Sequence, residues 1–258
     1  MKYDKQALTR TEQMIVHLLV ENSILSSVRL KKLNSNYRIV GSGTLNKVVS
    51  SLCSKGYLIR LKKGTFLVSK DRIFNAFEVD EAVFGGYIGL STAMFIYGYK
   101  QEYSDTYYSI ISGHSKMERT INGIRFIGVP IGGLAFGYTM YNGHKVSSKS
   151  KTLFDALFTG LRYIGDLSQL FRMIKSMNDN DFSEFMGYAD FVKQTSLYER
   201  AGYLFEAAGA NKVFVDKLYK RVQFPVITRL ISSNNMANAA YDRKWHIYKN
   251  RVSIFIRR

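Results

Sequence analysis

Between Asn22 and Lys70 the chain holds ten Lys or Arg and not one Asp or Glu. The run closes with Gly56-Tyr57-Leu58-Ile59-Arg60-Leu61-Lys62-Lys63-Gly64-Thr65-Phe66-Leu67-Val68, two β-patterned segments joined by a basic turn, directly after an amphipathic helical pattern. A surface of one sign suits a polyanion. The order of helix then basic hairpin limits the folds this third of the chain can adopt.

The local signals agree with that order. Thr9 and Glu12 have the spacing of a capping box, which satisfies two free amide donors at a helix start. Met14, Ile15, Leu18 and Leu19 then form an apolar stripe at helical spacing. A second helix is expected from Ser26 or Ser27 through Val28, Leu30 and Leu33, with Arg29, Lys31 and Lys32 outward. Asn34 to Gly43 reads as a turn-rich link, because Asn34, Ser35, Asn36, Gly41 and Gly43 are breakers. A third helix is expected from Ser42 or Gly43 to a stop at Gly56, with Leu45, Val48, Val49 and Leu52 buried. Its other face carries Thr44, Asn46, Lys47, Ser50, Ser51, Ser54 and Lys55, where nothing repels a phosphate. Lys62-Lys63-Gly64 is the expected hairpin turn, with glycine supplying the positive φ.

Three helices and a basic-tipped hairpin in this order predict a winged helix-turn-helix, whose third helix enters the major groove of double-stranded DNA. Thr44, Asn46, Lys47 and Ser50, with Ser42, Ser51 and Lys55 beside them, are the expected readers of base edges and nearby phosphates. Arg60, Lys62 and Lys63 are expected to hold the wing to the backbone, and Arg29, Lys31 and Lys32 to add phosphate contacts. A unit of this size reads few base pairs, so inverted repeats and a homodimer on DNA are the natural arrangement.

The expected domains are 1–72, the winged helix, and 73–258, a larger α+β domain with a small sheet and C-terminal helices. Arg72 to Val79 reads as a connecting helix or linker. Gly85 to Gly98 reads as a turn, then a short buried helix. Tyr107–Ile111, Gly123–Val129 and Leu134–Tyr141 are the expected strands. Beyond Ser150 four apolar stripes follow at helical spacing, from Leu153-Phe154 to Leu204-Phe205. At 258 residues and 46% hydrophobic, the chain has enough apolar surface for a core. The formal net charge of +17 is shared, with +8 in residues 1–80 and +9 beyond. Trp245 to Arg258 interleaves aromatic and basic residues, and reads either as a second polyanion contact or as an edge strand with protective charge.

Four blocks carry a family resemblance: the hairpin sequence above, Tyr87-Ile88-Gly89-Leu90-Ser91-Thr92-Ala93, Lys151-Thr152-Leu153-Phe154-Asp155-Ala156-Leu157, and Arg200-Ala201-Gly202-Tyr203-Leu204-Phe205-Glu206. In that order they resemble the AbiEi-type antitoxins of type IV toxin-antitoxin systems. The resemblance implies a repressor of its own operon's promoter, and a C-terminal domain that counteracts a nucleotidyltransferase toxin. The segment after Asn211 lies outside it. A standalone winged-helix regulator whose second domain senses a ligand or partner would share the pattern.

No enzymatic constellation stands out, and no cofactor or metal is expected. His17, His114, His144 and His246 are scattered, with no ligand spacing. Gly85-Gly86 and Gly132-Gly133 lack the Gly-Lys-Ser or Gly-Lys-Thr of a phosphate loop, and Gly41-Ser42-Gly43 reads as a turn. A nuclease is the enzyme alternative, from Asp105, Glu118 and Arg119, but Glu118-Arg119-Thr120 lacks Glu-x-Lys. Asp155, inside a Leu/Phe-rich helix, reads as a carboxylate that caps, pairs or faces water. The single Cys53 excludes an intramolecular disulfide and suits a reducing cytoplasm. The N-terminus lacks the apolar stretch of a signal peptide. No apolar run approaches the roughly 18 to 20 residues of a membrane helix, so no membrane partner is expected.

Overall fold

A computed structural model describes residues 7–19, 23–68, 75–101, 105–232 and 239–249, with Ser42 described in its main chain only. The protein is α+β and divides into two units, Met1–Gly85 and Gly86–Arg258. The division falls later than the expected boundary at 72, because a helix after it packs on strands of the first unit.

In the first unit the order is α1 (Arg10–Leu18), β1 (Ile24–Ser26), α2 (Ser27–Tyr37), α3 (Ser42–Ser54), β2 (Leu58–Lys62), β3 (Thr65–Val68) and α4 (Ala76–Phe84). The capping box at α1 forms as expected, with Thr9 N donating to Glu12 Oε2 at 2.7 Å and Glu12 N to Thr9 Oγ1 at 3.3 Å. Ile15, Leu19, Leu30, Leu45, Val49, Leu52, Leu58 and Phe66 form one core under the three helices, with Val48 at its margin. The sheet order is β1-β3-β2, antiparallel throughout. The turn between β2 and β3 is Lys63-Gly64, with Gly64 at φ 75°, and Lys62 is the last strand residue.

The turn-rich link is shorter than expected. Asn34, Ser35 and Asn36 are helical, and α2 ends on Arg38 in the left-handed region. Asn34 is buried, with its amide donating to the Val40 carbonyl at 2.9 Å and its carbonyl accepting from Val40 N at 3.0 Å. A residue read as a breaker is therefore a clamp that closes the turn into α3.

The second unit is built on a six-stranded mixed sheet of order β6-β7-β5-β4-β9-β8. Its strands are β4 (Tyr87–Ile88), β5 (Thr106–Ile111), β6 (Met117–Ile121), β7 (Ile124–Pro130), β8 (Tyr138–Tyr141) and β9 (His144–Ser147). Pairing is parallel for β5 with β7 and β4 with β9, and antiparallel elsewhere. The sheet is larger than the three expected strands. The expected run from Leu134 becomes strand only at Tyr138, because Gly132–Leu134 forms a 3-10 turn and Gly137 takes a φ of 85° that breaks extended backbone. A short helix, α5 (Leu90–Ile96), follows β4.

The expected stripes form α6 (Lys149–Phe158), α7 (Leu167–Lys175), α8 (Asp179–Val192) and α9 (Thr195–Ala207), and α10 (Lys212–Tyr219) follows. A second, small sheet joins β10 (Thr228–Arg229), β11 (Ala240–Asp242) and β12 (Ile247–Lys249) in the order β10-β12-β11. The expected edge strand there is thus central. Trp245 before it is wholly buried, and its Nε1 donates to Glu206 Oε2 at 2.6 Å. Residues 250–258 of the expected basic tail lie outside the described residues.

Candidate nucleic-acid interface

α3 presents two faces. Leu45, Val49 and Leu52 enter the core, while Thr44, Asn46, Lys47, Ser50 and Ser54 are exposed. Gly41 precedes it without a side-chain cap, and the helix carries no acid in its first turn. Thr44, Asn46, Lys47 and Ser50 are thus exposed positions on one helix. The side chain of Ser42 lies outside the described residues.

Ser51 and Lys55 do something else. Ser51 Oγ donates to Glu12 Oε1 at 2.6 Å, and Lys55 Nζ donates to Glu12 Oε2 at 2.7 Å and to the Ala7 carbonyl at 3.1 Å. Glu12 is only 3% exposed. Burial pushes its carboxyl up, but the bonds from Lys55, Ser51 and Thr9 outweigh that and hold it down at about 2. The two polar residues on the flank of α3 thus join it to the start of α1. Sequence reasoning missed this because Ser51 and Lys55 fit a polar helix face equally well, and only the fold brings Glu12 to them.

The inward turn of Glu12 also sets the charge of the surface. It is the only acid among the described residues 7–68, and its ion pair consumes Lys55 alone. Arg29, Lys31 and Lys32 are exposed on α2; Arg60, Lys62 and Lys63 are exposed on the hairpin. Arg38, which the reading set did not include, is exposed where α2 turns toward α3.

The hairpin is held. Ser27 N donates to the Gly64 carbonyl at 2.7 Å, so the Lys63-Gly64 tip sits beside the first turn of α2, where Arg29 lies. A Cβ at Gly64 would come within 2.9 Å of Ser27 Oγ. The Arg60 guanidinium lies 5.6 Å from the centre of the Phe66 ring, and Lys62 Nζ reaches the Val83 carbonyl at 3.5 Å. Lys63 is the exposed charge within the turn itself.

Glu118, on the edge strand β6, is exposed and paired with Arg125 at 2.6 Å. Among the described residues no three His, Cys, Asp or Glu lie close enough to hold a metal ion. No helix among them is long and apolar enough to cross a membrane.

No protein-family model matches the sequence, and no curated protein matches it. The fold is similar to the crystal structure of the Rv2827c protein from Mycobacterium tuberculosis, with a TM-score of 0.68 at 12% sequence identity, over 95% of this chain and 92% of that one. At that identity the likeness is one of fold.

Proposed function

We propose that the first unit is a winged helix-turn-helix that binds double-stranded DNA, and that the chain is a transcriptional repressor of its own promoter rather than an enzyme. One observation carries the reading. The only acid among the described residues 7–68 is buried and neutralised, so α2, α3 and the hairpin expose basic groups and no carboxylate. The element order and the β1-β3-β2 sheet support the fold assignment.

In this reading α3 lies in the major groove. Asn46 pairs with adenine edges, Lys47 with guanine, and Thr44 and Ser50 with either bases or phosphates. The hairpin tip and the start of α2 lie against the backbone, where Arg29, Lys31, Lys32, Arg60, Lys62 and Lys63 displace counterions. The Asn34 clamp and the Glu12 cluster hold α3 against its neighbours, so that its reading face is presented as a rigid edge. Two copies on inverted repeats supply the remaining affinity.

The resemblance to AbiEi-type antitoxins extends this to a two-gene module, in which the second unit counteracts a nucleotidyltransferase toxin. Its third and fourth blocks, in α6 and α9, hold buried polar groups of the second unit.

A gel-shift on the DNA upstream of the chain's own gene tests the core of the proposal. Specific retention that weakens steeply with salt is expected. Equal retention of upstream and unrelated DNA at every salt concentration would overturn sequence-specific repression.

A further inference from the structure

The second unit carries an apolar loop that its own core does not use. Phe224, Val226 and Ile227 are 79%, 46% and 71% exposed, with the exposed Pro225 between them. Four consecutive exposed apolar residues are costly on a free surface and mark interaction sites.

The loop is also fixed in place. Val226 N donates to Glu199 Oε1 at 2.8 Å. Arg200, the next residue of α9, donates through Nε to the Arg229 carbonyl at 2.9 Å and through Nη2 to Thr228 Oγ1 at 3.0 Å. Adjacent residues of one buried helix thus pin both sides of Ile227. Side chains held out on an anchored backbone lose little entropy when a partner covers them.

Beside the loop runs a surface groove in two parts that share the Asp190–Arg221 pair. One part is about 750 Å³, between the start of α8 and α10; the other is about 380 Å³ and is walled by Phe224 itself. Arg221 is spent on Asp190, at 2.8 Å. That leaves Lys193, Lys217 and Lys220 along the groove against Asp179, and none of the three lysines forms an ion pair among the described residues.

We propose that this surface docks an acidic segment of a partner protein, with Phe224 and Ile227 entering apolar pockets of the partner and Lys193, Lys217 and Lys220 meeting its carboxylates. A second copy of this chain is the wrong occupant, because an isologous pairing would set one predominantly basic groove against its own copy. A lipid surface is also wrong, since it would cover the loop but leave the polar walls at Asn180, Ser183, Thr195 and Gln223 unfilled. The inference concerns the second unit alone and does not depend on what the first unit binds.

The test uses the full chain as bait for a random-peptide display library, with a Phe224→Ser/Ile227→Ser variant for subtraction. Both positions are exposed, so the variant should keep the parent's thermal melting and its retention of upstream DNA. Selected peptides should carry Asp or Glu around apolar anchors and bind the variant about tenfold or more weakly. Lys217→Glu/Lys220→Glu should weaken the same peptides by roughly tenfold. Absence of peptides that distinguish parent from variant, or enrichment of neutral or basic ones, would overturn the proposal. So would loop-dependent binding to phosphatidylserine vesicles, or a concentration-dependent dimer that the loop variant abolishes. Failure of the parent chain to retain upstream DNA would bear on the repressor reading and leave this one standing.

Discussion

Lys151 and Asp155, one helical turn apart on α6, form an ion pair in which neither side chain exposes any surface. Tyr87 Oη donates to the second carboxylate oxygen at 2.9 Å. The ammonium lies between 4.7 and 5.8 Å from the ring centres of Phe154, Tyr188, Tyr87 and Phe136. Burial pushes the Lys151 ammonium down and the Asp155 carboxyl up, against their mutual attraction. Asp155 is therefore paired, one of the roles the sequence allowed, and its partner lay in the same sequence block.

Breaking that pair on one side strands a charge in the core. Lys151→Met and Asp155→Leu should each cost about 3 to 5 kcal/mol, whereas the double variant should recover most of the loss. Urea unfolding of the three variants measures this. Additive losses in the double variant would show that the two groups do not act as a pair.

Glu12 makes the stability of the first unit depend on acid. Its carboxyl sits at about 2 when folded, against an ordinary 4.5, so the folded state favours the charged form. The contribution is fully present above pH 4.5 and is lost as pH falls toward 2. Glu12→Gln should cost about 1 to 3 kcal/mol at pH 7 and flatten the acid limb between those values. Urea unfolding across pH 2 to 7, followed by amide exchange within residues 7–68, reads it out.

The two kinds of polar residue on α3 should separate by assay. Asn46→Ala should alter base preference by about 1 to 3 kcal/mol at one position while leaving stability near the parent's. Ser51→Ala should do the reverse, costing about 1 kcal/mol of stability with base preference unchanged. Selection of binding sites from random DNA, beside thermal melts, distinguishes them.

The hairpin should act on all sequences alike. Lys62→Ala/Lys63→Ala should weaken specific and unrelated DNA together and lower the salt slope by roughly 0.9 for each phosphate no longer neutralised. A changed base preference in that variant would move the hairpin into the reading set.

Gly202 faces the ring of Trp245 so closely that any Cβ there would occupy the ring's place. Gly202→Ala should cost about 1 to 3 kcal/mol and shift the emission of Trp245, the only tryptophan, toward the red. An unshifted spectrum would mean the small C-terminal sheet does not dock on α9 as described.

Much of the first unit was legible because its signals are local. The Thr9–Glu12 box, the Leu45-Val49-Leu52 spacing and the Lys63-Gly64 turn each depend on residues a few positions apart. The strands β4, β6 and β9 left weaker signals. β4 is two residues long, β6 is exposed at four of its five positions, and β9 is four residues with its buried pair at one end. None displays the alternation that a half-buried strand of ordinary length shows.

The candidate site divides in the same way. The sequence by itself determined that a basic, acid-free run would lie on helices and a hairpin, since charge and periodicity are properties of neighbouring residues. Only the tertiary structure decided which polar groups face outward. Ser51 and Lys55 read as a free polar face until Glu12 is brought to them; Asn34 reads as a turn breaker until Val40 closes on its amide; Trp245 reads as one aromatic of a mixed basic run until Gly202 makes room for it. In each case a desolvated group must find its partner wherever the fold brings one, and no local pattern encodes that distance.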